Sequence, residues 1–190
     1  MHTALLALGA NVAGAWGEPR DTLARVAREL EAAGVRIVGA SRAYSTAPLG
    51  TGRQARYLNA VIRVEARLGP GMLLRLVKGL ERRAGRRLGR HWGPRPLDVD
   101  LLDWGGRRIG RPGRRRDQGR LILPHPEMHA RAFVLVPLLE IAPGWVHPVL
   151  GVPGRTLLAR LGARRGAGVQ ALDFAAVPCD KLIQQRPRSG

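Results

Sequence analysis

Two aspartates, Asp98 and Asp100, are separated by one apolar residue, Val99. Side chains of a β-strand point alternately to its two faces, so both carboxylates fall on one face and Val99 on the other. Along that face they lie about 7 Å apart, and with no basic residue between them both would stay ionised and repel each other. Mg²⁺ relieves such repulsion, and it typically takes one or two carboxylates together with substrate phosphates. The spacing therefore predicts a magnesium site that handles phosphates.

The surroundings of the two aspartates decide between this site and a solvated strand face, which would give the same spacing. Gly93-Pro94-Arg95 comes shortly before them, and arginines are frequent on both sides. A metal–phosphate site needs cations as well as carboxylates. The phosphate-binding pattern G-x-x-x-x-G-K-[ST] cannot be written anywhere in the chain, so arginine and Mg²⁺ would have to hold the phosphates of any nucleotide.

The segment RHWGPRPLDVDLL, residues 90–102, resembles the signature of the 6-hydroxymethyl-7,8-dihydropterin pyrophosphokinase family. Shorter pieces follow in the family's order, namely Leu8–Asn11, Thr46–Gly50, Tyr57–Asn59, Pro124-His125 and Arg131–Phe133. The resemblance covers roughly residues 3–160. It implies an enzyme of folate biosynthesis that transfers pyrophosphate from ATP to the hydroxymethyl group of the dihydropterin and releases AMP.

The resemblance implies that Asp98 and Asp100 hold two Mg²⁺ ions and that Arg95 completes the catalytic set. ATP would be the co-substrate. The residues implied to bind ATP are Glu81, Arg86, Arg95, Arg120, His125 and Arg131. Without the resemblance, Glu81 would be a solvated helix residue and His125 a buried imidazole. The loop before Trp92 is shorter than the family's, so it stays open which of Arg86, Arg87 and Arg90 contacts phosphate.

The resemblance also implies a pterin pocket. Tyr57 and Phe133 would stack on the ring, Asn59 would read its edge, and backbone groups of Thr46 and Leu49 would complete the pocket. The alternation of residues independently places Tyr57 and Asn59 on the same face of a predicted strand. Without the resemblance, Phe133 would be an ordinary core residue.

Six elements must position these residues. Apolar periodicity and terminal Pro and Gly residues predict the elements. The strands are predicted over 4–8, 35–45, 57–68 and the segment around Asp98, and the helices over 19–33 and 70–84. The order strand–helix–strand–strand–helix–strand predicts an α+β sandwich with a mainly antiparallel sheet and helices packed on one face. The family that the chain resembles has such a ferredoxin-like core. A hairpin is predicted to turn at Gly105-Gly106.

The domain organisation follows from length and pattern. A chain of 190 residues is long enough to form one domain with a sizeable core. After Leu161 the apolar pattern weakens into Ala, Gly and Arg. Residues 1–161 are therefore predicted to form the pyrophosphokinase domain, and residues 162–190 a peripheral or mobile tail.

The formal net charge of +18 would attract anions, among them nucleotides and nucleic acid. An RNA-binding module on a small ferredoxin-like sheet is one alternative, and it would need exposed aromatic residues on the sheet. The chain has only two Phe and two Tyr, so nucleic acid binding is not predicted. Another metal-dependent nucleotidyl or phosphoryl transferase would share Asp98 and Asp100 but not the pterin residues.

The apolar run Ala4–Ala10 could be mistaken for a signal peptide. No Lys or Arg precedes it and Asn11 ends it early, so we interpret it as the first strand. Cys179 is the single cysteine, which is compatible with a reducing cytosol. We expect a cytoplasmic protein with no membrane partner, whose partners are the small molecules ATP and a dihydropterin.

Overall fold

The computed structural model describes residues 1–48, 54–86, 93–110, 121–162 and 168–177. The strands are β1 (His2–Ala10), β2 (Arg36–Ala40), β3 (Arg42–Thr46), β4 (Tyr57–Ala66), β5 (Asp98–Trp104) and β6 (Val169–Ala175). The helices are α1 (Pro19–Ala32), α2 (Pro70–Arg83), α3 (Ala132–Ile141) and α4 (Gly154–Arg160), and a 3₁₀ turn spans Met128–Ala130. The order up to β5 confirms the predicted α+β sandwich. No helix within these ranges is long and apolar enough to cross a membrane.

All strands form one antiparallel sheet in the order β5-β1-β4-β3-β6, and β2 pairs with β4. The single strand predicted over 35–45 is two strands on the same edge of β4. Ser41 separates them, because its Oγ accepts the N–H of Val61 at 3.0 Å while its own N–H donates to the Val61 carbonyl at 3.0 Å. A side chain replaces the backbone in the ladder here, which apolar patterning does not reveal.

Helices α1 and α2 cover one face of the sheet. Their buried apolar side chains are Leu23, Val26, Ala27, Leu30, Leu73, Val77 and Leu80. These pack in one cluster with alternate residues of three strands, namely Leu6, Leu8, Ile62, Val64, Val99 and Leu101. The burial of an apolar stripe on each helix against this face is what holds the two helices on the sheet.

The prediction that helices lie on one face only is wrong, because α3 covers the opposite face. Val134 and Leu138 of α3 pack there against Leu5, Val61 and Leu102. Val61 lies on the same face of β4 as Tyr57 and Asn59, and it is fully buried. Along β4 alone, most residues of that face are polar. The face becomes apolar only when β1 and β5 pair beside β4.

The predicted turn at Gly105-Gly106 is present, and both glycines have positive φ (56° and 72°). The predicted hairpin is not: among the residues described, no strand pairs with the outer edge of β5. Ile109 forms an isolated bridge with Leu123, and the N–H of His125 donates to the carbonyl of Leu102 at 2.8 Å. The chain after the turn therefore returns to β5 only near His125.

Strand β6 was not predicted. It pairs with β3 at the edge of the sheet, and Ala176 and Val177 after it are buried in the core. Its residues alternate weakly between half-buried and exposed, and backbone pairing rather than an apolar face defines it. The domain boundary after Leu161 stays a prediction, and residues 178–190 lie outside the described ranges.

The loop between β1 and α1 is wedged between the end of α2 and the segment before β5. A Cβ added to Gly14 would lie 2.3 Å from the carbonyl oxygen of Ala84 and 2.5 Å from Cβ of Pro96. The N–H of Ala15 donates to the same Ala84 carbonyl at 3.0 Å. Only a glycine lets the loop approach both neighbours this closely.

We predict that Gly14→Ala lowers the free energy of unfolding by about 1–3 kcal/mol, because the backbone must shift to admit the added methyl group. Urea denaturation measures this change. The matched control is Gly71→Ala in the first turn of α2, where an added Cβ meets nothing within 4 Å. That variant should be neutral or more stable by up to about 1 kcal/mol. Equal unfolding free energies in the two variants would contradict the close approach.

Candidate active site

Strand β5 directs Asp98 and Asp100 to the face opposite the buried Val99, as the alternation predicts. Two of the surrounding arginines pair with Asp98 in the folded chain. Oδ1 of Asp98 lies 2.5 Å from Nη1 of Arg86, and Oδ2 pairs with Nη1 of Arg95. Arg86 follows the end of α2 and is not a sequence neighbour of Asp98, so the spacing of residues does not predict this contact.

Asp100 is surrounded by three cationic or ionisable groups at longer distances. Nζ of Lys78 lies 3.8 Å from its Oδ1, and Nη1 of Arg131 and Nε2 of His125 lie 3.8 and 3.9 Å from its Oδ2. The two aspartates therefore differ: Asp98 makes close ion pairs, whereas Asp100 lies within reach of its neighbours without a close contact.

Glu81 links α2 to β5 beneath the two aspartates. Only 4% of the residue is exposed, and Oε1 accepts the N–H of Val99 at 2.8 Å and Nζ of Lys78 at 2.6 Å. Its Oε2 lies 2.7 Å from Nη1 of Arg86. Burial raises the pKa of Glu81, against the opposing charges of Lys78 and Arg86. Glu81 is thus a buried support for two cations rather than a solvated helix residue.

The position of Arg86 follows from how α2 ends. Gly85 adopts a positive φ of 98°, its N–H donates to the Arg82 carbonyl at 3.1 Å, and the Arg86 N–H donates to the Glu81 carbonyl at 3.0 Å. This is the paired hydrogen bonding of a Schellman motif. The predicted helix stop therefore also turns Arg86 back toward Glu81 and Asp98.

Electrostatics keeps Asp98 ionised. Burial alone would raise its pKa, but the charges of Arg95, Arg86 and Lys78 outweigh burial and hold the pKa below the usual value. Burial lowers the pKa of His125, and Arg131 adds to this while Asp100 opposes it. At neutral pH the site therefore contains an aspartate ready to act as an oxygen ligand and a neutral imidazole.

Gly9 of β1 lies between the candidate pterin residues and the aspartates. It is the cross-strand neighbour of both Asn59 in β4 and Asp98 in β5. A Cβ added to Gly9 would lie 3.2 Å from Oδ1 of Asn59 and 4.0 Å from both Cδ1 of Tyr57 and Cβ of Asp98. Two strand spacings, about 10 Å, separate Asn59 from Asp98, and glycine at position 9 places no side chain between them.

The other candidate pterin residues in the described ranges make the following contacts. Nδ2 of Asn59 donates to Oγ1 of Thr46 at 2.7 Å, and the Tyr57 hydroxyl donates to the Gly93 carbonyl at 3.4 Å. Phe133 is half-buried beside the α3 cluster, and the Arg131 guanidinium lies 5.7 Å from its ring centroid.

Some predicted residues cannot be placed in this way. Leu49 and Arg120, together with Arg87 and Arg90, lie outside the described ranges. The site roles of all these residues stay predictions.

Sequence reasoning missed Lys78 and Gly9 as members of this site. Lys78 is one of two lysines among 32 basic residues and lies one helical turn before Glu81, which places both on one side of α2. Gly9 interrupts a strand pattern, and an isolated glycine in a strand indicates a close approach or a space that must stay open. Both signals were readable, but neither points to a ligand by itself.

The donor set fits magnesium bound largely by its substrate. No group of three or more His, Cys, Asp or Glu side chains in the described part of the chain could hold a metal. Asp98 and Asp100 offer two carboxylates on one face of β5, and Asp98 is the cross-strand neighbour of Gly9. Mg²⁺ is commonly held by one or two carboxylates, with water and phosphate oxygens completing its shell.

Comparison with known proteins identifies a family. Residues 5–143 match the family model of 7,8-dihydro-6-hydroxymethylpterin-pyrophosphokinase. A protein of Methylorubrum extorquens is 35% identical over 91% of this chain and 100% of its own length. One of Pseudomonas aeruginosa is 36% identical over 90% of this chain and 96% of its own length. Both are named 2-amino-4-hydroxy-6-hydroxymethyldihydropteridine pyrophosphokinase.

Longer proteins also contain a matching part. The mitochondrial folate synthesis bifunctional protein of Arabidopsis thaliana is 37% identical over 74% of this chain, which spans only 23% of that protein. The crystal structure of wild-type Plasmodium falciparum HPPK-DHPS matches 86% of this chain and 45% of its own, with a TM-score of 0.61 and 13% identity. The structural match shows a common fold.

We predict that Glu81→Gln lowers the free energy of unfolding by about 1–3 kcal/mol, because two cations lose a buried charged acceptor. The amide oxygen can still accept the Val99 N–H, so the lost unfolding free energy measures the contribution of the carboxylate charge. Urea denaturation at neutral pH measures it.

The matched control is Glu29→Gln. Glu29 also pairs with two arginines, Arg25 and Arg83, but 26% of its side chain is exposed. Exposed ion pairs contribute less than about 1 kcal/mol. If the two variants lose the same stability, the buried support assigned to Glu81 is wrong.

Proposed function

Because the chain belongs to the 7,8-dihydro-6-hydroxymethylpterin-pyrophosphokinase family, we propose that it transfers pyrophosphate from ATP to 6-hydroxymethyl-7,8-dihydropterin in folate biosynthesis. The products are the pterin diphosphate and AMP. The observation that carries the proposal is the row Asn59–Gly9–Asp98 across three strands. In this row no side chain stands between a group suited to a heterocycle edge and a carboxylate suited to Mg²⁺–phosphate.

Asp98 and Asp100 are the proposed metal ligands, and two Mg²⁺ ions are the proposed cofactors. When bound, Mg²⁺ would neutralise phosphate charge and acidify the attacking hydroxyl of the pterin. The ionised state of Asp98 supports this role. Its two close arginines would have to release at least one oxygen to a metal, which makes Asp100 the more accessible of the two carboxylates.

The charge of the site supports a role for magnesium with ATP. Within the described residues, four cationic and four acidic side chains contact one another: Lys78, Arg86, Arg95, Arg131, Glu81, Asp98, Asp100 and Glu127. Among these described side chains the charges cancel formally, so they would not by themselves neutralise a polyphosphate. Divalent ions that enter with the nucleotide would offset its charge.

The arginines act by positioning in this proposal. Arg95 would contact the phosphates near the transferred group, and Glu81, Arg86, Arg120, His125 and Arg131 would form the rest of the ATP site. For Glu81 the burial described above favours an indirect contribution through Lys78 and Arg86. In phosphoryl transfer most of the catalysis comes from alignment and charge stabilisation, so the proposal assigns no residue as a general base.

The pterin would lie between Tyr57 and Phe133, with Asn59 on its edge and Thr46 and Leu49 contributing backbone groups. The hydrogen bond from Asn59 to Thr46 supports this, because it fixes the amide plane in a buried position. A fixed amide can distinguish the hydrogen-bonding edge of one heterocycle from another.

The RNA-binding alternative has less support. All four Phe and Tyr residues lie in the described ranges, and each is buried or half-buried rather than exposed on the sheet. Recognition of RNA on such a sheet needs several exposed aromatic faces on the sheet itself, whereas Tyr44 is buried and Phe133 lies on α3. We therefore propose ATP and a dihydropterin as the partners, without nucleic acid, and a cytoplasmic location.

The direct test measures AMP release from ATP with and without 6-hydroxymethyl-7,8-dihydropterin. We expect release only when pterin and Mg²⁺ are both present, and loss of release when EDTA removes the metal. AMP release independent of the pterin would indicate a different acceptor. Release that persists in EDTA would contradict the metal dependence.

We predict that Asp98→Asn and Asp100→Asn each lower kcat for AMP formation by at least about 100-fold, since metal-assisted charge stabilisation amounts to several kcal/mol. The fold should persist, as circular dichroism can check. The control is Asp103→Asn on the same strand, whose buried carboxylate accepts from Trp145 and Gly106. It should lose stability but keep its turnover. Normal turnover in either active-site variant would remove that aspartate from the proposed metal site.

We predict that Asn59→Ala weakens pterin binding by about 1–3 kcal/mol, because the buried ring edge loses its hydrogen-bonding partner. Calorimetric titration with the pterin, in the presence of a non-hydrolysable ATP analogue, measures this. Affinity for the analogue itself serves as the internal control and should stay unchanged. Unaltered pterin affinity would show that Asn59 does not read the ring.

A further inference from the structure

Asn11 follows β1 directly and is almost completely buried, with 3% of its surface exposed. Its backbone N–H donates to the carbonyl of Arg95 at 3.0 Å, and the N–H of Arg95 donates to its Oδ1 at 2.8 Å. These two bonds hold the backbone of Arg95, and the Arg95 side chain pairs with Asp98. Asn11 thus fixes the backbone that carries the phosphate-side arginine.

The amide nitrogen of Asn11 makes contacts on the opposite side. Nδ2 donates to the carbonyl of Ala55 at 3.3 Å and lies 3.4 Å from Oε1 of Gln54. Ala55 lies two residues before Tyr57, the proposed pterin-stacking residue. One side chain therefore bonds to the segment that carries Arg95 and to the segment that leads into the pterin pocket.

The loop that follows Asn11 is itself fixed. Gly14 fits closely between Ala84 and Pro96, and Ala15 donates to the Ala84 carbonyl. Both neighbours are adjacent to site residues, since Ala84 is two residues before Arg86 and Pro96 directly follows Arg95. Asn11 therefore bonds to both segments from a position that cannot shift freely.

We propose that Asn11 is a positioning residue that sets the distance between the phosphate side and the pterin side of the site. This inference rests on the proposed function. Its oxygen holds the Arg95 backbone and its nitrogen holds the backbone before Tyr57, so loss of the side chain frees the two halves to move apart. Each half keeps its own ligand contacts, and only their mutual alignment is lost.

A loss of alignment and a loss of substrate binding would change the kinetics in different ways. Asn11→Ala should lower kcat by about 10–100-fold, which is the effect of misplacing the reacting groups by roughly 1 Å. The Kd for the ATP analogue alone and the KM for each substrate should change less than about threefold. AMP release measures kcat, and titration of the metal-free and magnesium-loaded protein measures the Kd. An unchanged kcat, or a loss of both binding affinities, would overturn the proposal.

Asn11→Asp separates the two contacts of the side chain. It keeps an oxygen that can accept the Arg95 N–H, but it places a second oxygen against the Ala55 carbonyl. We expect the same direction of kcat loss as in Asn11→Ala, because the bond to the pterin-side segment is gone. Turnover equal to that of the parent chain would show that only the Arg95 contact exists and would overturn the two-sided role.

Ser41→Ala is the matched control for buried side chain-to-backbone bonds. Ser41 is 1% exposed, accepts the Val61 N–H and donates to the Arg42 carbonyl at 2.8 Å, all between sheet strands away from the site. It should lose stability in urea as Asn11→Ala does and keep its kcat. If kcat falls equally in both variants, the Asn11 effect is general destabilisation. Absence of AMP release from the parent chain would instead refute the proposed function.

Discussion

The buried carboxylate of Glu81 is the constraint on which the site depends. A buried charge is costly unless it is paired and hydrogen-bonded, and Glu81 meets this need with the Val99 N–H, Lys78 and Arg86. These partners come from β5 and from both sides of the helix end, so α2 can dock on the sheet in only one register without losing one of them. That register in turn sets Arg86 against Asp98.

The sheet contributes the complementary part of the geometry. Asn59, Gly9 and Asp98 belong to three adjacent strands whose hydrogen-bonded register fixes them in one row. A slip of one residue in either pairing would send one of these side chains to the face that α1 and α2 cover. The apolar residues on that face, such as Ile62 and Val99, oppose the slip. A slip would remove them from the core, and the free energy of burying their apolar surface would be lost. Core packing thus determines the row even though none of its members is an apolar core residue.

Sequence patterns predicted those features that a single element determines. Period-2 alternation gave the common face of Asp98 and Asp100, and terminal Pro and Gly gave the ends of α1 and α2. Features that depend on two elements were not predicted. Val61 appears outward-facing until α3 covers it, β6 is defined by pairing with β3 rather than by its own pattern, and the Lys78–Asp100 proximity exists only after α2 docks on β5. Resemblance to a family supplied the site residues, which periodicity cannot.

The residues of the site are of two kinds, those on paired strands and those in segments outside the strands. Asp98, Asn59 and Gly9 lie on paired strands, where the ladder fixes their backbone, whereas Arg86 and Arg95 lie at the end of a helix and in a connecting segment. Rigid strands alone would leave the arginines free, so their positions need separate bonds. The Schellman hydrogen bonds hold Arg86, and Asn11 holds the backbone of Arg95. Besides Glu81, a turn and an amide side chain that carry no charge therefore align the charges of this site, so a list of ionisable residues cannot fully account for its geometry.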